Sequence, residues 1–156
     1  MAMPYGSGFS PLLGEPRMGL IAMPNRTATL ATLTTAGGAR TATAAEVLGG
    51  LFIINCDDAQ TMTLPTAALL NRAIPSNASG ASFEFDVINT GDTTLTIAIG
   101  TGGTLATGSN SKSSVATIVS NASKRFVVVI TGVLQNGDSS DSYTVYGFGS
   151  TAAAVA

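Results

Sequence analysis

Residues 61–100 have the sequence TMTLPTAALLNRAIPSNASGASFEFDVINTGDTTLTIAIG, which contains the clearest secondary-structure signals of the chain. Within it, residues 82–89 and 95–99 alternate apolar and polar side chains with the period of a β-strand. The apolar positions of the two runs are Phe83, Phe85, Val87, Leu95, Ile97 and Ile99. Because the turn residues Asn-Thr-Gly-Asp begin at the end of the first run, at Asn89, and lead towards the second, we predict a β-hairpin with one apolar face. A second sheet must cover that face, so the stretch predicts the centre of a β-sandwich.

One short helix is predicted earlier in the same stretch. Residues 61–64 alternate as a short strand, and Pro65 ends that strand because proline donates no ladder hydrogen bond. Thr66 suits the N-cap of a helix that Pro75 ends. The apolar residues of this helix recur at helical spacing: Ala67, Leu70 and Ile74. A further helical turn is expected at residues 44–48, before two consecutive glycines.

Other short strands are predicted on both sides of this stretch. They are residues 27–35, 40–44, 51–55, 105–107, 114–120, 124–134 and 142–148. In the longest, the two faces carry Phe126, Val128 and Ile130 on one side and Val127, Val129 and Thr131 on the other. Many short strands with turn residues at intervals of about 8–12 residues indicate an all-β sandwich or barrel.

Composition favours a protein that works inside an assembly. Charged residues make up 10 % of the chain and hydrophobic residues 45 %, with small residues filling the difference. The net charge of −2 argues against a nucleic-acid partner, which would need a basic surface. The first 24 residues lack the pattern of a secretory signal peptide, and no stretch reaches the ~18 apolar residues of a membrane helix. We expect neither a nucleic-acid nor a membrane partner.

Residue types argue against catalysis. The chain has no histidine, so it has neither an imidazole base nor an imidazole metal ligand. Its one cysteine, Cys56, follows an apolar run, and we expect a buried thiol at a strand end. Asp57 and Asp58 are adjacent and point apart on a strand, which favours a turn over a calcium site and leaves cation binding there open. Glu84 and Asp86 share a strand face without an aromatic platform, so we expect a solvated or interface-facing pair. We predict no enzyme activity, no cofactor and no metal site.

The N-terminal region differs from the rest of the chain. It holds four of the six prolines and no sustained periodicity, so we predict an extended arm over residues 1–43. The arm also carries many apolar residues, and a segment of this kind usually buries them on its own domain or on a neighbour. The sandwich domain is predicted over residues 44–150, with a C-terminal tail at 151–156.

The residues also resemble a known family. The segments TLPTAALLNRAI, GASFEFDVINTG, TLTIAIGTGGT and RFVVVITGV, with the later SYTVY, resemble the capsid decoration (cement) proteins of tailed bacteriophages. The resemblance covers about residues 44–148 and consists of hydrophobic pattern and turn residues. It implies a jelly-roll-like β-sandwich, a homotrimer without catalysis, and an arm that reaches over a neighbouring subunit.

We therefore expect a structural virion protein that binds the outer surface of a phage capsid after synthesis in the host cytoplasm. Its expected partners are the major capsid protein and other copies of itself. The expected arm anchors are Tyr5, Phe9, Leu12, Leu13 and Ile21, because buried aromatic and aliphatic groups dominate such contacts. The alternative is a trimeric receptor- or glycan-binding module of a phage tail fibre or spike, because such modules show a similar pattern of short strands and turns.

Overall fold

The structure is a computed structural model that describes residues 26–33, 39–74, 78–106 and 116–148. Within these residues two β-sheets dominate and the helices are short. The predicted all-β class is therefore confirmed as a mainly-β, two-sheet fold.

The six-stranded sheet contains, in spatial order, β1 (Thr27–Leu33), β3 (Gly50–Cys56), β5 (Ser82–Asn89), β9 (Ala122–Gly132), β10 (Ser142–Phe148) and β7 (Gly103–Leu105). The four-stranded sheet contains β2 (Ala39–Thr41), β4 (Gln60–Thr63), β6 (Leu95–Ala98) and β8 (Thr117–Ile118). Two helices connect the sheets, α1 (Ala44–Gly49) and α2 (Ala67–Ala73), and a 3-10 turn spans Leu134–Asn136.

The first six strands form a coil that passes alternately through the two sheets. β1, β3 and β5 lie side by side and parallel in the larger sheet, and β2, β4 and β6 do the same in the smaller one. We call β1–β6 the parallel coil. After the parallel coil the pairing becomes antiparallel: β9 pairs with β5 in the larger sheet, and β8 pairs with β6 in the smaller one. β10 follows antiparallel to β9, and β7 lies parallel to β10.

This topology corrects the predicted hairpin. β5 pairs with β3 and β9, whereas β6 pairs with β4 and β8, so the two strands face each other across the core instead of sharing a sheet. The expected jelly roll is not confirmed, because a jelly roll is built from antiparallel Greek keys and most of the described pairings are parallel.

The turns of the parallel coil stack on one another through backbone hydrogen bonds. After β5, the N–H groups of Thr90 and Asp92 donate to the carbonyl oxygens of Ile54 and Cys56 at 2.8 and 3.1 Å. After β6, the Thr101 carbonyl accepts from Ala67, at the start of α2, at 2.9 Å. The corners of successive coil turns therefore satisfy one another's backbone groups as the strands do.

Both predicted helices are present, and side chains cap their N-termini. Thr66 caps α2 by accepting from the backbone N–H of Leu69, as its position before the helix predicted. At α1, Thr43 accepts from the N–H of Glu46, whose carboxylate accepts from the N–H of Thr43 at 2.8 Å. The backbone donor of Thr43 is the main cause that holds the pKa of Glu46 below its usual value.

The core lies between the two sheets and is closed by the helices. The alternation predicted for β5 and β9 is confirmed, since Phe85, Val87, Phe126, Val128 and Ile130 are buried. The ring of Phe85 stacks on Phe126 at a centroid distance of 5.1 Å and meets Phe52 edge-on at 5.9 Å. Cys56 is the last residue of β3 and is fully buried, as predicted, and burial raises the pKa of its thiol.

Two strands lie within the segment predicted as an extended arm, residues 1–43. β1 pairs with β3 over seven residues, and β2 pairs with β4 over three. These two segments therefore belong to the sheets, and their threonine-rich, β-prone sequence explains why. The expected anchors Tyr5, Phe9, Leu12, Leu13 and Ile21 lie outside the described residues, as does the tail 151–156.

Candidate protein-interaction face

One surface of the six-stranded sheet packs on the core, and the other points away from the four-stranded sheet. We call the second surface the outer face. Because strand side chains alternate, the outer face carries the residues between the buried positions. They include Leu30, Leu51, Ile53, Glu84, Asp86, Ile88, Arg125, Val127, Tyr146 and Phe148. Apolar side chains therefore surround a small charged group.

The charged group is centred on Asp86 in β5. The pairing of β5 with β9 puts Arg125 directly opposite Asp86, and its Nε and Nη2 donate to Oδ1 and Oδ2 at 2.8 and 3.2 Å. Arg26 Nη1 donates to Oδ2 from the other side. Arg125 Nη1 also lies 3.6 Å from the Glu84 carboxylate. The arginine hydrogen bonds, first that of Arg125, hold the pKa of Asp86 below its usual value.

Two depressions cross the outer face. The larger, of about 480 Å³, is lined by Arg26, Leu51, Asp86, Ile88, Ser123, Lys124, Arg125 and Phe148. The smaller, of about 280 Å³, is lined by Leu30, Ala31, Thr32, Ile53, Asn55 and Thr90. Three large apolar side chains of this face are exposed to solvent: Leu30 at 73 %, Phe148 at 55 % and Tyr146 at 41 %. Exposed apolar groups beside shallow depressions are typical of surfaces that bind other proteins.

The outer face ends at β1, the edge strand of the described sheet. β1 is the last strand on its side, and none of the other described residues pairs with its outer side. The strand contains no charged residue and no proline, the features with which proteins usually protect such edges. The outer face and this edge together form a continuous candidate interface.

The acidic residues singled out in the sequence occupy different places. Glu84 and Asp86 both lie on the outer face, and both contact Arg125. Asp57 and Asp58 are exposed in the bend after β3, where Asp57 Oδ1 accepts from the Asn55 side chain at 3.4 Å. Within residues 26–33, 39–74, 78–106 and 116–148, no group of three or more acidic or cysteine side chains has the arrangement of a metal site.

The two tyrosines of β10 have opposite orientations, because they are three residues apart on one strand. Tyr143 is buried and its hydroxyl donates to the Pro65 carbonyl at 3.0 Å while accepting from the Gly100 N–H at 3.1 Å. Tyr146 lies on the outer face, two residues before Phe148. These two exposed aromatic side chains form a pair on one strand that the sequence interpretation did not single out.

The sequence interpretation also missed Arg26 and Arg125 as partners of Asp86. The three residues are separated by 60 and 39 positions along the chain, so no local spacing connects them. Only the strand pairing brings them together.

No family model, curated protein or solved structure matches this chain. Neither helix in the described residues is long and apolar enough to cross a membrane.

Proposed function

We propose that this protein is a structural component of an assembly, and that its outer face and β1 edge are contact surfaces. The observation that carries the proposal is the combination of exposed apolar side chains around the charged group of the outer face with an uncharged edge strand. Burial of this surface by a neighbour removes apolar area from water, which is the main driving force of protein association.

The specific assembly that we propose is the head of a tailed bacteriophage, where the protein decorates the outer shell as a homotrimer. The resemblance to capsid decoration proteins supports this choice, and the apolar composition of residues 1–25 supports an anchoring role for that segment. A protein that binds only the assembled shell raises the free energy needed to open it. Interfaces of about 800 Å² per partner, repeated around a shell, give a large cooperative effect.

The test uses the purified full-length protein and empty capsids of the phage that encodes it. We expect the protein to pellet with the capsids and to raise their melting temperature. Replacement of Tyr5, Phe9 and Leu12 by serine tests the anchors, with Leu134→Ser as the matched control because Leu134 is an exposed leucine outside the outer face. A protein that neither pellets with capsids nor stabilises them contradicts the decoration role. Unchanged binding by the triple variant contradicts the anchor assignment.

A tail-fibre or spike module is the second candidate, and one observation favours it. Phe148 lines the 480 Å³ depression together with Arg26 and Arg125, and Tyr146 is exposed on the same strand. Aromatic and charged side chains around a depression of this size suit a small polar ligand such as a glycan. Selective binding on a glycan array, lost in Phe148→Ala and kept in Leu134→Ala, would favour the fibre module over the decoration protein.

A further inference from the structure

Strand β1 is an unusual edge. Its seven residues, TATLATL, pair in unbroken register with β3, and among the described residues nothing pairs with its other side. Natural edge strands are commonly very short, bulged, or protected by charges or proline. β1 has none of these protections, and its outer backbone groups pair with none of the described residues, so these are the groups that a further strand would use.

The sequence of β1 is complementary to itself when a second copy runs antiparallel and is centred on Leu30. In that register Leu30 lies opposite Leu30 of the second copy, and Ala28 lies opposite Thr32 on the same face. On the inner face, Thr29 lies opposite Ala31. Small side chains therefore lie opposite larger ones, and no like charges meet, which favours cross-strand pairing.

Leu30, the residue at the centre of the proposed pairing, is an exposed apolar side chain that a second copy would cover. Leu30 is 73 % exposed, the largest exposure among the large apolar side chains of the described residues. It borders the 280 Å³ depression that Ile53 also lines. A second Leu30 across the edge would cover this apolar surface.

We propose that β1 is a self-association site, at which two copies of the chain pair their β1 strands antiparallel about a two-fold axis at Leu30. The pairing joins two six-stranded sheets into one continuous sheet and satisfies the backbone groups of both edges. In a trimeric particle the same contact links two trimers. Pairing at β1 requires no capsid, so a protein that fails to bind capsids can still self-associate through this strand.

The symmetric match favours a second copy over other occupants of the edge. An extended peptide of another protein would form the same backbone bonds, but β1 offers no charged side chain that would select it. If residues 1–25 of the same chain occupied this edge, β1 could not pair with a second copy. Charged substitutions at Leu30 would then leave the mass of the protein unchanged.

The first experiment is a cysteine cross-link at the axis. Directly opposed residues of an antiparallel pair have Cα atoms about 4.5–5.5 Å apart, within the range of about 4.4–6.8 Å that a disulfide spans. We expect Leu30→Cys to form a covalent dimer under mild oxidation. Leu134→Cys is the matched control, since Leu134 is also an exposed leucine, and the native Cys56 is buried in both variants.

The second experiment places charges on the axis. Leu30→Lys and Leu30→Glu each put two like charges opposite one another, so each variant alone should halve in mass at a concentration where the wild type is paired. An equal mixture should regain the paired mass, because lysine then lies opposite glutamate. Leu69→Lys, at a 51 % exposed leucine on α2, should keep the wild-type mass.

Three outcomes would overturn the proposal. The first is a Leu30→Cys dimer that forms no faster than the Leu134→Cys dimer. The second is a wild-type mass for both charged variants at Leu30. The third is a loss of association in Leu30→Lys and in Leu30→Glu that an equal mixture of the two does not restore. Leu30 would then contact a different surface of the second copy and not the second Leu30.

Discussion

Asn89 connects three elements through one buried side chain. It is the last residue of β5, and its Nδ2 group donates to the carbonyl oxygens of Thr93, Ile118 and Val119 at 2.7, 3.2 and 3.2 Å. Its Oδ1 accepts from the N–H of Gly91 at 3.0 Å. One amide thus holds the β5–β6 connection against β8. The sequence predicts Asn89 at the start of a turn, and the structure places it directly before one. No local pattern indicates that its side chain binds β8.

Replacement of Asn89 by alanine should lower the free energy of unfolding by about 1–3 kcal/mol, because carbonyl oxygens and an N–H group in a buried region lose their partner. Chemical denaturation measures the change. Asn55→Ala is the control, because Asn55 is half-buried on the outer face and its side chain forms one weak hydrogen bond with the described residues, to Asp57 at 3.4 Å. A loss of stability in Asn55→Ala equal to that in Asn89→Ala would contradict the role of Asn89.

Asp86 should make stability depend on pH in the acidic range. Its hydrogen bonds with Arg125 and Arg26 lower its pKa in the folded state, so the folded protein favours the ionised carboxylate. This stabilisation is complete above the unfolded-state pKa and is lost as the pH falls through the folded-state pKa. The wild type should therefore exceed Asp86→Asn in unfolding free energy by about 1 kcal/mol or less at pH 7, and the difference should vanish at strongly acidic pH.

Unfolding curves of both proteins over a pH series test this prediction. Asp58→Asn is the control, since Asp58 is exposed and forms no ion pair with the described residues. A difference between wild type and Asp86→Asn that stays constant with pH would mean that the substitution acts through packing and not through the charge.

At the level of elements, the sequence predicts side-chain faces better than strand neighbours. The two-residue period of β5 and β9 fixes which residues share a face, because alternation is a local property of an extended chain. The neighbour of a strand depends on residues far along the chain, and this is why the β5–β6 hairpin was wrong. The five residues 90–94 cross from one sheet to the other instead of reversing within one.

The corner between β5 and β6 depends on Gly91. A Cβ atom at this position would lie 2.1 Å from the backbone nitrogen of Cys56, closer than atoms approach, because the corner stacks on the end of β3. Gly91→Ala should therefore separate the two coil turns and lower the unfolding free energy by about 1–3 kcal/mol. Asp92→Ala, at the exposed next residue, should change it by less than about 0.5 kcal/mol. Equal effects of the two substitutions would show that the close approach is easily relieved.

For the whole molecule, the candidate interface was predictable only in part. The apolar, weakly charged composition indicates a protein that works in an assembly, but composition does not locate the contact surface. The outer face combines residues from β1, β3, β5, β9 and β10, whose order follows from pairings that join distant parts of the chain. The sequence predicts a strand at residues 27–35 within an extended arm over residues 1–43, and it does not indicate that this strand forms the edge of the larger sheet.

If β1 strands pair between copies, thermal stability must depend on protein concentration. A second copy binds only the folded chain, so mass action raises the melting temperature as the protein concentration increases. We expect a rise of a few °C over a hundredfold concentration range for the wild type, by scaling from domains of similar size. Leu30→Lys should show a smaller rise, because like charges at the axis weaken the pairing. Leu69→Lys should keep the wild-type dependence, since the substitution adds the same charge away from β1. An identical concentration dependence in wild type and Leu30→Lys would place any self-association on a different surface.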